Sequence, residues 1–424
     1  MLLLDVYRTL RARVCATVFG LSGGDAMKNP PTQRSVKNLV TEYVIIAVIC
    51  ISIVAMIFSF HNREFSYFAS NNASIEYVNA EVLEVLEEEL DNELGYTRGY
   101  QKLKAIILEG TAEGQTVEID NYITVSHSVV LEKGSDFIVC ADVPEGIAPL
   151  FSVYNYDRSY SIFAILILFI AVVTAVGRKR GLLSCLGILF TLCMVICYMV
   201  PELFEGGNTF WITTFTLVTS TAVSCFCIGG ISIKTYNNVL NTLLGVGAAC
   251  FMYFIFTCML NLGGSAIEEV EMLSLISNNT GLNIGGILYA GVAISSLGAV
   301  MDVAVSMGAS LYEIKSVNKE ATFKEMLCSG MNIGRDMIGT MTNTLILAFA
   351  GGTLATLVIF MSYGIQFDQL ISSNFIAAEI AGGIAGSFGI VLTVPLSALV
   401  CSYTLNKKIK IKNSDKKHRR KYEH

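Results

Sequence analysis

The chain alternates long apolar runs with short polar ones. Eight runs are long enough to cross a bilayer, which needs about 20 residues. They cover residues 43–60, 160–176, 182–200, 210–228, 239–260, 284–308, 338–361 and 375–405. The last is longer than required, so either Pro395 kinks it or part of it lies outside the hydrocarbon. Residues 61–157 break the pattern with short β-like runs punctuated by glycine. Strands are predicted at 77–86, 101–109, 115–120, 122–130 and 136–143, with a hairpin loop at Gly110–Gly114 and a turn at Gly134-Ser135. Five short strands in such a segment predict a small barrel of OB or SH3-like type. The acidic run Glu84–Glu93 reads as a short helix or as a solvated strand edge. The expected fold class is therefore an α-helical polytopic membrane protein of eight transmembrane helices. A small β-rich extracytoplasmic domain lies between helices 1 and 2.

Composition agrees with this division. The 424 residues are 53% hydrophobic and 15% charged, with a mean hydropathy of +0.58. An average soluble domain has about 25% charged residues. Charge placement then orients the map. Of the 29 Lys and Arg, most fall before the first span, at Arg178-Lys179-Arg180, in the 309–337 loop and in the tail from residue 406. The three short loops on the other side hold none, but they do hold Glu202, Glu205, Glu268, Glu269, Glu271 and Asp368. By the positive-inside rule both termini are cytoplasmic and the protein belongs to the cell membrane. Trp211, Tyr160, Tyr363 and Tyr403 fall near the interfaces, where aromatic belts form.

The organisation that follows is a cytoplasmic segment 1–40, an anchor 41–60, the outer domain 61–157, a seven-helix membrane domain 158–405 and a basic tail 406–424. Arginines interrupt the apolar part of residues 1–26, and Met27 opens a more natural start, so the first 26 residues read as a start-site artefact or a loose tail. The first span reads as an uncleaved anchor. The lysine-rich tail faces anionic inner-leaflet lipid, or serves only as an orientation signal.

Candidate chemistry is sparse. The twelve cysteines lie mostly within apolar runs and form no CxxC pair, and only four histidines are present. No metal site or cofactor is expected. There is no HExxH, no P-loop and no Ser/His arrangement, so an enzyme is not expected. An acidic outer domain argues against nucleic acid. Ionisable groups are expensive in hydrocarbon, which singles out Asp302 within the 284–308 run. It is expected to face the bundle interior. The next span starts from the same side and places Thr340, Thr342 and Asn343 at comparable depth, as ion or substrate-path candidates. Arg335 and Asp336 stand at that span's entrance, where Asp336 alternatively serves as a helix cap with a local salt bridge. Glu379 is a secondary intramembrane candidate. The 309–337 loop is expected to hold a short helix capped by Asn318, with a Glu320–Lys324 pair and a Phe323, Met326, Leu327 stripe. That helix lies on the membrane or receives a partner, either a second copy or a separate cytoplasmic protein. Small residues four apart, such as Gly382 and Gly386 or Ala304 and Gly308, allow close helix packing.

Three stretches carry a resemblance: GAVMDVAVSMGASLYEI, GRDMIGTMTNTLILAFAGG and AAEIAGGIAGSFGIVLTVPLSAL. Over roughly residues 229–405 the chain resembles the YibE/F-like family of bacterial membrane proteins. The segment around GYQKLKAIILEGTAEGQTVEIDNYITV is similar to the β-rich insertion between that family's first two spans. The resemblance implies a multi-pass cell-membrane protein, mostly of Gram-positive bacteria, and supplies no catalytic residues. Two functional readings follow. One is a permease or transporter component built around an intramembrane carboxylate. The other is a membrane-anchored assembly or signalling protein whose outer β domain binds a ligand or partner.

Overall fold

The computed structural model describes residues 33–63, 75–93, 95–144, 149–263 and 270–421. The expectations for residues 1–26, and for lipid contacts by the side chains of the basic tail, fall outside the described part. The chain divides into two compact units, Met1–Arg63 with Gly177–His424 and Glu64–Val176.

The smaller unit is built on a five-stranded antiparallel sheet. Its strands are β1 (Ile75–Glu93), β2 (Tyr96–Ile107), β3 (Thr116–Ile123), β4 (Asp136–Asp142) and β5 (Leu150–Tyr156), in the order β3-β2-β1-β4-β5. Period-two alternation sets the inner face. Val78, Ala80 and Val82 of β1 meet Leu103, Ala105 and Ile107 of β2, Ile119 of β3, Phe137 and Val139 of β4, and Val153 of β5. The sheet curls into a half-barrel.

Two expectations about this unit are corrected. The predicted strand 122–130 ends at Ile123, and a fifth strand appears instead at Leu150–Tyr156. Side chains replace the missing strand partners along residues 129–131. Gln101 accepts from Leu131 N at 3.1 Å and donates to Leu131 O at 3.0 Å, while Asn121 Nδ2 donates to Val129 O at 2.8 Å. The Tyr156 hydroxyl donates to Val130 O and accepts from Val130 N, both at 2.8 Å. These bonds satisfy the backbone of a buried segment that no strand flanks. The acidic run, left open between helix and strand, is strand, paired along β2 as far as Glu93 opposite Tyr96. Gly99 permits that long ribbon: at φ +147° a side chain there would collide with Glu89 O.

The larger unit is helical. It holds α1 (Gln33–His61), the second half of α2 (Ser159–Cys193) from Gly177 on, a π-helical turn Met194–Met199, α3 (Val200–Phe204), α4 (Thr209–Gly229), α5 (Ile233–Leu260) and α6 (Val270–Thr280). α7 (Ile284–Val317), α8 (Phe323–Gly352), α9 (Leu354–Ser362), α10 (Phe367–Ile371) and α11 (Asn374–Lys421) complete it. Among the described residues, six helices are long and apolar enough to cross a membrane. One of them, Ser159–Phe204, is 46 residues long and is broken at Arg178, whose φ of 51° and ψ of −138° are not helical. A seventh candidate is the α8–α9 pair, bent by 49°. α11 runs through Pro395 without interruption and continues past residue 406.

Contacts at the helix ends sort into two groups. Arg63 after α1 pairs with Glu202 at 2.8 Å and Glu205 at 3.3 Å, and hydrogen bonding to Glu202 pushes its pKa further up. At the other end Lys179 stands over the Tyr43 ring at 5.3 Å. There the buried Lys315 ammonium donates to Ala321 O and to Asn406 Oδ1, joining α7, the α8 start and α11. The bundle thus has an acidic end and a basic end.

The stretch expected to be a loop with a short helix is almost all helix. α7 extends to Val317, Asn318 closes it instead of opening a new helix, and α8 runs unbroken from Phe323 into the next span. The cause is a capping box: Thr322 Oγ1 accepts from Glu325 N, and Glu325 accepts from Thr322 N. This reciprocal pair fixes the start of a helix at Thr322, and nothing after it stops the helix. No ion pair joins Glu320 to Lys324 among the described residues.

The tightest packing is between α5 and α11. A methyl group at Gly389 would lie 2.8 Å from Ala249 Cβ and 3.1 Å from Gly245 O. One at Gly245 would overlap Thr393 Oγ1 and lie 2.6 Å from Val300 Cγ1 of α7. Gly389, Thr393, Ser397 and Cys401, spaced four apart, let the backbones approach closely. Val300 wedges into the seam.

Two outcomes are expected from this packing. Gly245→Ala lowers the apparent melting temperature in detergent, read by size-exclusion thermostability, whereas Gly247→Ala, with nothing within 4 Å, does not. In the β unit, the hydrogen bond from the Tyr100 hydroxyl to Asp120 raises the phenol's pKa from 10.0 to about 12. The bond's contribution to the fold therefore stands below pH 10 and is lost as pH rises through about 12. Ultraviolet titration of residues 65–157 expressed alone should show a late tyrosine that Asp120→Asn returns toward 10.

Candidate functional site

The carboxylate singled out by sequence does not face the interior. α7 buries the stripe Ala293, Leu297, Val300, Ala304, Met307 and Leu311 against its neighbours. Asp302 lies on the opposite side, exposed, with no hydrogen bond or ion pair among the described residues. On α8 the seam is made by Met326, Gly330, Gly334 and Leu345, so Arg335, Asp336, Thr340 and Asn343 also point away from the core. Thr340 donates to Met337 O at 3.0 Å, and Arg335 donates to Asn332 Oδ1 at 3.4 Å. Thr342 is half-buried and its hydroxyl has no partner among the described residues. Asp336 sits 13 residues inside α8, so it caps nothing, and no salt bridge joins it to Arg335. Gly330 lies against Leu311, while Gly386 lies against both Leu345 and Ser296, which sets Asp302 level with Gly339 and Thr340. Within one chain these residues share depth but not a facing surface.

Glu379 is half-buried on α11, at the wall of a cavity of about 570 Å³ beside the α8–α9 bend. Ile346, Phe349, Leu357 and Ile380 make that cavity almost wholly apolar. Thr353 at the bend is buried and turns its hydroxyl back to Phe349 O and Ala350 O, both at 3.3 Å, in the last turn of α8.

The interior polar groups are elsewhere. α4 carries Thr209, Thr213, Thr216, Ser220 and Ser224 at helical spacing, and every one is buried. At its top, Thr209 packs on Gly286 of α7, where a methyl group would come within 2.6 Å of the Thr209 hydroxyl. The two helices run the same way, since Ile212 clusters with Ala290 and Leu217 with Ala293 and Leu297. Thr213, Thr216 and Ser220 therefore come level with the stretch Ala290–Leu297. Their hydroxyls, and that of Thr221, have no hydrogen-bond partner among the described residues. Toward the basic end the series continues on α5 and α11. Asn238 Oδ1 lies against Gly308 of α7, and Asn241 Nδ2 donates to Cys401 Sγ at 3.5 Å. Asn238 Oδ1, Asn241 Oδ1, Ser397 Oγ and Ser402 Oγ are all buried and without a partner among the described residues. Most buried polar groups in proteins are hydrogen-bonded, so a run of exceptions calls for an explanation.

A cavity adjoins this lane at one end. It measures about 630 Å³ and lies at the acidic end, lined by Gly206, Asn208, Thr209, Tyr253, Thr257, Asn283 and Tyr289 among others. Two helices begin at its rim, with Asn208 capping α4 and Asn283 capping α7. Gly206, at φ +77°, lets the α3–α4 link pass against Thr280 O. Thr209 is both in the cavity wall and the first hydroxyl of the lane. Sequence reading followed charge and passed over this uncharged series, although the spacing of Thr209, Thr213, Thr216 and Ser220 was readable.

Apolar helices around a buried, uncharged polar lane, with a β half-barrel inserted in the chain, define a polytopic helical membrane protein. The YibE/F-like protein family profile matches residues 165–407, more than half of the chain. The chain belongs to the YibE/F-like family. No curated protein and no solved structure matches it.

A stability test isolates the lane. An unpartnered buried hydroxyl carries a desolvation penalty of about 1–3 kcal/mol. Thr216→Val and Thr221→Val are therefore expected to raise the apparent melting temperature. Thr191→Val, which removes a hydroxyl bonded to Gly187 O at 3.0 Å, is expected to lower it.

Proposed function

We propose that this chain is a permease component, and that a small, uncharged, hydrogen-bonding solute moves along the lane between α4, α5, α7 and α11. One observation carries the reading: Thr209 in the wall of a cavity begins a file of buried side chains whose oxygens, from Thr213 on, mostly lack partners among the described residues. Each such oxygen is destabilising while the lane is closed and dry. A solute or water that enters when the helices part supplies the missing partners, so the penalty favours the open, occupied form. With no charged side chain in the lane, ions gain little there. With no nucleotide-binding motif in the sequence, movement is facilitated, ion-driven or powered by another subunit.

The reading includes eight spans, with Ser159–Phe204 counted as two at Arg178 and α8–α9 as one bent span. The basic end, which gathers Lys179 and Lys315, is then cytoplasmic, and the β domain and the 630 Å³ cavity face outward. In the assembly or signalling reading the β domain is the binding part. It is favoured by the tyrosine pairs Tyr77–Tyr154 and Tyr100–Tyr122 on the outer face of the sheet, with ring centroids 4.8 and 5.3 Å apart.

Purified protein in liposomes should pass small polyols, amides or sugars faster than protein-free liposomes do. The Thr216→Val, Ser220→Ala double variant should lose at least nine-tenths of that flux while melting no lower than the wild type. Flux no faster than the lipid background across the panel, or full flux through the double variant, would sink the proposal. For topology, a cysteine at Asn208 should react with an impermeant thiol reagent from outside, and one at Ser316 only after the inner face is opened. Outside labelling of Ser316 would break the orientation.

A further inference from the structure

α7 presents a second face that the bundle does not use. Gly291, Ser295, Gly298 and Asp302 follow one another at spacings of four, three and four, and all are exposed. A methyl group at Gly291 or Gly298 would meet nothing within 4 Å. Asp302 is 18 residues, about 27 Å at 1.5 Å per residue, from the start of α7 and six residues, about 9 Å, inside the inner limit of the 284–308 run. Its short side chain does not span that distance. α8 has a matching outer face of Asn332, Arg335, Asp336, Gly339, Thr340 and Asn343. Arg335 bonds only Asn332 on that same face, and Asp336 bonds nothing among the described residues.

Such a face does not belong against lipid. A charged side chain inside a membrane helix is disfavoured, by about 2.5–3.5 kcal/mol at the centre on the mildest scale and by less toward the ends, and charged groups there turn to protein or water. We propose that a second copy of this chain covers it, through a two-fold contact made by the outer faces of α7 and α8. The surface is complementary to itself. It carries acids at Asp302 and Asp336, a base at Arg335, and hydroxyl and amide donors at Thr340 and Asn343. A two-fold axis along the membrane normal preserves depth, and in an isologous contact residue i meets j while j meets i. Asp302 of one copy then stands level with Thr340 of the other. The partner's arginine starts about one helix turn nearer the basic end, within the reach of its long side chain. The glycines of the α7 stripe let the backbones close in, as small residues do in membrane helix pairs. The depth match that is unused within one chain becomes the register of the contact.

The test is self-association of the full chain in lipid, measured by energy transfer between donor- and acceptor-labelled copies across a range of protein densities in liposomes. The wild type should associate as a dimer. Asp302→Arg and Arg335→Asp should each weaken association at least tenfold, and the double variant carrying both should regain it to within threefold. Gly298→Leu fills the face without touching the fold, so it should also weaken association at least tenfold with an unchanged melting temperature. That keeps the test decisive if a charge variant misfolds. A wild type that stays monomeric at every density would overturn the proposal. So would Gly298→Leu associating like the wild type, or a folded double variant that fails to recover.

Discussion

The helical unit depends on how closely α5 and α11 approach. Gly245 and Gly389 bring backbone near to backbone, and Val300 of α7 seals the gap between them. Hydrocarbon offers no hydrophobic drive between helices, so contact area and fit must hold such a seam together. Small residues supply both. With α11 fixed on α5, its remaining sides are free for α7 and α8, and Gly330, Gly334, Gly382 and Gly386 repeat the same device there. The polar lane shares this seam: Ser397 follows Thr393 one turn later on the same ridge, and Asn241 faces Cys401 beside it. Close packing and unpartnered oxygens therefore occupy one surface, so the contact that gives stability also excludes water.

What the sequence disclosed, and what it did not, follows from the range of each interaction. Apolar run length is local, so the long apolar helices were legible, including a final one with Pro395 inside it. The Gly110–Gly114 and Gly134-Ser135 turns were legible for the same reason. The unbroken start of α8 was also local, in Thr322 and Glu325, but the charged composition of the stretch drew attention from the capping pair. The fifth strand was harder. Its partner β4 is close in sequence, but the residues that release 124–135 from strand pairing are Gln101 and Asn121, whose role is visible only once they are folded inward.

The candidate site divides in the same way. Depth along a helix comes from counting residues, and Asp302 does stand level with Thr340. Facing direction comes from which side the neighbours bury, and that was set by glycine contacts many residues away. Charge drew the sequence reading to Asp302. The interior turned out to be lined by hydroxyls and amides whose positions at helical spacing carry no charge to mark them.

The continuous α8 has a mechanical consequence. From its capping box at Thr322 to the bend at Thr353 it is a stiff rod of 30 residues, about 45 Å long at 1.5 Å per residue. Lys315 and the capping box clamp one end, and Gly351-Gly352 precede a joint of 49° at the other. A stiff rod does not absorb a displacement along its length. A push or pull on the Lys-rich end is delivered, nearly undiminished, to the joint beside Glu379.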